Sequence, residues 1–202
     1  MNADNIIESY GPLNPDYLNR MTKTIQSALN EHLRTFALRV DLRLPDDVLA
    51  RIDSAVISRF FDSLKAKLKA DSNKKRAEGK RIHHSTLRYV WVREFNQPGE
   101  KKHYHVLLLL NKDAYAFLGD YRASEGNLAA LITQAWLSAL GINDKRYQSL
   151  TYFPKNPCYY LDAKTLGING VYAELMVRVS YLAKERSKVS DDGERNFGCS
   201  QG

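Results

Sequence analysis

The triplet His103-Tyr104-His105 is the first feature able to do chemistry. On an extended strand, residues i and i+2 leave the same face, so both imidazoles point one way while Tyr104 faces the other side and packs. Two imidazoles so placed can grip one divalent ion. Glu94 lies near the end of the preceding strand-like segment, and a hairpin would fold it back beside the triplet. A carboxylate there joins the two nitrogens, and its hard oxygen suits Mg2+ or Mn2+. Glu94 can equally face solvent or pair with Arg93 or Lys101. Glu100, in the intervening turn, is a second candidate acid.

The second feature is Tyr181-Leu182-Ala183-Lys184. Residues three apart share a side of a helix. Val171, Leu175, Val179 and Leu182 make the apolar stripe, and Tyr181 and Lys184 fall together on its flank, roughly 60° apart. An ammonium beside a phenol favours phenolate or neutralises a phosphate under attack. The plainer alternative is one tyrosine, out of twelve in the chain, at the edge of an amphipathic helix. Taken together the two features describe metal-assisted attack of a tyrosine oxygen on a phosphodiester. The products are a 5′-phosphotyrosyl link and a free 3′-hydroxyl, with Lys184 orienting or neutralising the phosphate.

The elements that must position these groups follow from hydrophobic period. Leu18, Met21, Ile25, Ala28, Leu29 and Leu33 predict a helix over residues 14–34, with Asn14 as cap and Pro15 at its first position. The period then becomes two: Phe36, Leu38, Val40, Leu42 and Leu44 alternate with a polar face carrying Arg39, Asp41 and Arg43. Arg39 and Arg43 can touch phosphates or pair with Asp41 and Asp62. A second helix is predicted from Val48 to about Lys69, capped by Asp46 or Asp47, with a polar loop or frayed end over residues 70–82. Leu87–Asn96 and His103–Leu110 read as an antiparallel hairpin, and the apolar run of the latter places it at the centre of a sheet. Helical patterns return over Asp113–Tyr121 and Asn127–Leu140, the latter stopped by Gly141. Gln148–Phe153 and Cys158–Leu161 are short strand candidates, Val171–Arg186 is the last helix, and a polar segment from Ser187 is loosely held. The fold class is α+β: an antiparallel sheet flanked by helices.

Composition sets outer limits. The chain has 202 residues, 44% of them hydrophobic, and its longest apolar run, Val106–Leu110, is too short to span a membrane. No basic start or apolar signal core opens it, so a cytoplasmic, soluble protein without membrane partners is expected. Cys158 and Cys199 are isolated, which argues against a zinc cluster or a disulfide framework. The net charge of +7 suits a polyanionic partner. Much of it gathers between Lys65 and Arg81 and is extended by His83 and His84; a solvated helix end is the alternative. Tyr89, Trp91, Phe95, Tyr152, Phe153 and Tyr160 are among the rings on which single-stranded bases could stack, although strand aromatics are mostly core.

The segments TFALRVDLRLP, YVWVREFNQPGEKKHYHVLLLLNKDAYAFLGDY and RVSYLAKERSKVSDDGERNFGCSQG resemble the inovirus-like YagK/YfjJ prophage family. The likeness runs from about Thr35 to the end. The order of an apolar strand, His-X-His and Tyr-X-X-Lys is also similar to that of HUH-type endonucleases that initiate rolling-circle replication. That resemblance implies a Rep-like, RRM-related sheet. It implies His103, His105 and Glu94 as metal ligands, Tyr181 as nucleophile and Lys184 as its partner. It further implies nicking of single-stranded DNA at a replication origin. Tyr104 departs from the usual plain apolar middle residue. With no P-loop in the sequence, a helicase would come from elsewhere, such as the host. The implied layout is an N-terminal helical segment, 1–34, a catalytic domain, 35–190, and a flexible tail, 191–202. A non-catalytic DNA-binding or regulatory protein on the same scaffold is the principal alternative, and a prophage remnant without activity is a third.

Overall fold

The computed structural model describes residues 9–46, 50–95, 101–166, 168, 170–186, 188–189 and 192–201. Asp47, Val48, Leu49, residues 96–100 with the candidate Glu100, and Ser187 lie outside them. Helix α1 (Pro15–Glu31) leads into strand β1 (Arg34–Leu42), followed by α2 (Val56–Ala77), the hairpin β2 (Arg88–Phe95) and β3 (Lys102–Asn111), and α3 (Leu128–Leu140). A 3-10 turn, Lys145–Leu150, precedes the short strand β4 (Thr151–Tyr152). Then come β5 (Cys158–Asp162), α4 (Val171–Ser180), a second 3-10 turn (Tyr181–Ala183) and β6 (Phe197–Cys199). The result is an α+β fold with an open six-stranded antiparallel sheet, ordered β4-β1-β3-β2-β6, and β5 also pairs with β1. β4 pairs with Asp41 and Leu42 while β5 pairs with Arg34 to Leu38, so the two strands occupy successive lengths of β1.

The alternation of side chains divides the sheet into two apolar faces. Leu38, Val40, Leu42, Tyr104, Val106 and Leu108 pack beneath α2 and α3, where Trp136 donates its indole N–H to the Arg43 carbonyl at 2.8 Å. Ala37, Val90, Val92, Leu107 and Leu109 pack against Met21 and Ile25 of α1 and Leu175 and Val179 of α4. With helices on both sides, β3 is buried on both faces, which explains its unbroken apolar run. The N-terminal helix therefore shares a core with the sheet. Its cap is as the sequence predicts: the Asn14 side chain accepts from the Tyr17 N–H.

Several expectations are corrected. Residues 113–121 form no helix: the chain makes one turn on the Asn111 carbonyl and then runs irregularly until Leu118 is buried against the first core. The second helix, α2, starts only at Val56, with Ala55 rather than Asp46 or Asp47 before it, and continues to Ala77, through the basic stretch, with Lys74, Lys75 and Arg76 in its last turn. Long unbranched cations are good helix formers and sit favourably at the negative helix end. Only Thr151–Tyr152 of the predicted strand 148–153 is extended, and the last helix tightens to 3-10 at Tyr181. The polar C-terminal segment is not loose over Asp192–Cys199. Arg93, almost wholly buried, gathers the carboxylate of Asp192 and the Asn196 side chain, which aligns Phe197–Cys199 along β2. Gly198 permits that approach, because a Cβ there would lie 2.5 Å from the Trp91 indole nitrogen. Among the described residues, no helix is long and apolar enough to cross a membrane.

Candidate metal centre

The second face of the sheet carries the polar groups at one end, beyond the apolar layer. Register does the work. Glu94 pairs directly with His103, and His105 lies between Val92 on one side and Asp41 on the other. Residues opposite one another project from the same face. Glu94, His103 and His105 each offer a ligand atom, and these atoms all lie within 4.8 Å of one another. The two imidazole rings stand nearly perpendicular, their centroids 4.8 Å apart.

The carboxylates of Asp41 and Glu94 orient the His105 imidazole. His105 Nδ1 lies 2.6 Å from Asp41 Oδ1, and Nε2 lies 3.4 Å from Glu94 Oε2. Nδ1–H donates to Asp41, which leaves Nε2 facing Glu94 and His103, the arrangement by which a metal-binding histidine is held from behind. Burial works against a charged His105, but the hydrogen bonds to Asp41 and Glu94 outweigh it and raise its pKa. His103 has no such support: burial and the neighbouring His105 charge push it down to about 4. Burial likewise works against ionised Asp41, yet its bond with His105 leaves its pKa lowered.

Glu94 is the hub. It is 1% exposed, and Lys184 Nζ and Lys188 Nζ approach its two oxygens at 2.9 Å each. Burial alone would raise its pKa; His105 and the two ammoniums hold it far below the usual carboxylate range instead. Neither Arg93 nor Lys101 pairs with it, since they go to Asp192 and Asp46. Two imidazoles and one carboxylate in this space fit a divalent cation. Such a cation would compete with Lys184 and Lys188 for the Glu94 carboxylate.

Tyr181 stands next to this group. Its ring centroid is 6.1 Å from that of His105, Lys184 Nζ lies 3.5 Å from it, and Arg39 Cζ lies 5.5 Å from it. All five residues singled out by spacing, Glu94, His103, His105, Tyr181 and Lys184, thus come together. The chain before α1 straps their helix end: Tyr10 meets the Tyr181 ring edge-on at 5.2 Å, and the Asn14 N–H donates to the Ala183 carbonyl at 2.8 Å. Lys188, Asp41 and Arg39 were not singled out by sequence as parts of this centre. Lys188 carried one signal, falling four residues after Lys184, and Arg39 and Asp41 lay on the polar face of β1. The basic residues of α2 lie elsewhere. Lys65, Lys69, Arg76 and Arg81 line an open cleft at the end of β2 away from Glu94. Of the stacking candidates, Tyr89 lies flat on Phe61 and Trp91 packs on Tyr104, whereas Tyr152 is exposed beneath Arg43.

Comparison with known proteins matches residues 1–200 to the YagK/YfjJ C-terminal domain. The chain is 45% identical over 196 residues to "Uncharacterized protein YfjJ" of Escherichia coli strain K12, covering 92% of this chain and 94% of that protein. It is 41% identical over 194 residues to "Uncharacterized protein YagK" of the same strain, covering 92% of each. No solved structure matches it significantly.

Proposed function

The chain belongs to the YagK/YfjJ C-terminal domain family, and we propose that it is a metal-assisted, tyrosine-dependent DNA-nicking enzyme of the HUH type that acts on single-stranded DNA at a replication origin. The observation that carries this reading is convergence. One strand pair and a helix end far from it in sequence bring two imidazoles, a buried carboxylate, a tyrosine ring and a lysine to one place. The likeness to HUH endonucleases in motif order supports it.

Glu94, His103 and His105 would hold Mg2+ or Mn2+, which when bound supplies Lewis-acid polarisation of the phosphodiester. The Tyr181 oxygen attacks phosphorus, the P–O3′ bond breaks, and the 3′-oxygen leaves with a proton in place of the one the phenol loses. The 5′-phosphate remains on Tyr181. Lys184, at the face of the Tyr181 ring, offsets the charge of phenolate and phosphate. Strand opening would fall to a separate helicase, such as that of a host.

The test is cleavage of labelled single-stranded DNA from the element's own origin, with Mn2+ or Mg2+. A covalent protein–DNA adduct that is lost in Tyr181→Phe, in His103→Ala/His105→Ala and in chelator supports the enzyme. A second reading, a non-catalytic DNA-binding protein, draws on the Lys184 and Lys188 ammoniums, which already neutralise the Glu94 carboxylate, and on the separate basic cleft. Salt-sensitive DNA binding that survives these substitutions, with no adduct, would favour it.

A further inference from the structure

Arg39 is a charged side chain whose hydrogen bonds are not accounted for. It is 8% exposed, on the sheet face that carries the histidines, and its guanidinium lies 5.5 Å from the Tyr181 ring. Its Nε is buried and makes no hydrogen bond among the described residues; the nearest carboxylate oxygen, Asp41 Oδ1, is 3.5 Å away. Its Nη2 lies 3.2 Å from His105 Nδ1. That contact is no hydrogen bond once the Nδ1 proton points at Asp41, 2.6 Å away, because both nitrogens are then donors. Arg39 thus meets Asp41 only as an ion pair without a hydrogen bond, and the guanidinium has donors to spare. Buried donors of a charged group are rarely left so without a reason.

The surroundings share this signature. Among the described residues, three buried side-chain polar atoms lack hydrogen bonds, and two of them are arginine Nε atoms, those of Arg39 and Arg178. Arg178 lies three residues before Tyr181 on α4. The charges do not balance either. Even with both histidines neutral, the carboxylates of Asp41 and Glu94 face the cations of Arg39, Lys184 and Lys188, whose side chains are at most 9% exposed, which leaves one buried positive charge over. A bound divalent ion would enlarge the surplus. A charge cluster of this kind is completed by an anion, and a guanidinium fork matches two oxygens of a phosphate.

We propose that Arg39 is a phosphate-binding residue, which receives the non-bridging oxygens of the nucleic-acid phosphate beside Tyr181. It rests on the nicking reading for the identity of that phosphate, but not for the binding itself. The spare donors of Arg39 would then be satisfied only when DNA is bound.

The experiment uses a ligand with a single phosphate. Dithymidine phosphodiester and its uncharged methylphosphonate analogue are titrated, by nuclear magnetic resonance, into the metal-free full chain as wild type, Arg39→Met and Arg39→Lys. Wild type should prefer the charged ligand by about tenfold or more, the usual worth of a charge-assisted hydrogen bond. Arg39→Met should lose that preference, and Arg39→Lys should keep part of it. A merely structural Arg39 would weaken both ligands alike and leave their ratio unchanged. The proposal is overturned if wild type does not discriminate, or if Arg39→Met, or Arg39→Lys should Arg39→Met not fold, discriminates as fully as wild type. Loss of covalent adducts with this preference intact would remove the nicking reading and leave the phosphate site standing.

Discussion

His105 Nδ1 stands 2.6 Å from Asp41 Oδ1, across the pairing of β1 with β3. This contact fixes which imidazole nitrogen faces Glu94. Asp41→Asn should therefore weaken Mn2+ binding by about 10- to 100-fold, the usual cost of losing such an outer carboxylate, while the fold persists. Calorimetric titration of Mn2+ into both proteins checks it. Equal affinities would show that Asp41 does not orient the ring.

Metal affinity should rise with pH. The pKa of His105 is raised, so the metal-free protein holds a proton there that a cation must displace. His103, down at about 4, is already neutral above that pH and releases none. About one proton per ion should be released near pH 6, as read from titrations in buffers of different ionisation enthalpy. The linkage to stability has the opposite sense. His105 stabilises the metal-free fold fully below the ordinary imidazole value of about 6.5, and that contribution is lost as pH rises through its higher folded value. Release of two protons would contradict the neutral His103.

Lys188→Met should destabilise the metal-free protein by about 1–3 kcal/mol, because it leaves the buried Glu94 Oε1 without its ammonium donor. Saturating Mn2+ should recover part of the loss, since a cation on Glu94 replaces the missing ammonium. Urea unfolding with and without Mn2+ measures both. No recovery with metal would argue that Glu94 is not a ligand.

The cleft of Lys65, Lys69, Arg76 and Arg81 should contribute phosphate contacts of its own. Lys69→Glu/Arg76→Glu/Arg81→Glu should flatten the dependence of log affinity for DNA on log salt by about 2–3 in slope, with Mn2+ affinity unchanged. An unaltered slope would mean that DNA does not touch this cleft.

Gly198→Ala should detach β6. A Cβ would meet the Trp91 ring at 2.5 Å, and the cost should be about 1–3 kcal/mol, as for an overpacked core. Amide exchange at Trp91 and Arg93, on the edge of β2 where the Arg93 N–H donates to the Asn196 carbonyl, should speed up together with the loss of stability. Unchanged exchange would show that the indole gives way.

Much of the centre was legible as local pattern. A period of two places His103 and His105 on one face, and three-residue spacing on a helix places Tyr181 near Lys184, because each rule involves only a few consecutive residues. The Asn14 cap and the Gly141 stop, with its φ of 73°, are local in the same sense. Helix ends were less legible: α2 runs on through Lys74–Arg76 because its charges suit the negative helix end, whereas 113–121 gives up its helix to bury Leu118.

What only the tertiary structure decided is who faces whom. Nothing near Glu94 in the sequence says that Lys184 and Lys188, rather than Arg93 or Lys101, will neutralise it. That choice follows from strand register and from where α4 ends against the sheet. Nothing in the polar segment after Ser187 says that it holds a strand, since its anchor is Arg93, about a hundred residues away. Periodicity encodes which way a side chain points. The partner of a buried charge is set by long-range packing, because burial makes an unpaired charge so costly that distant segments must supply its counterion.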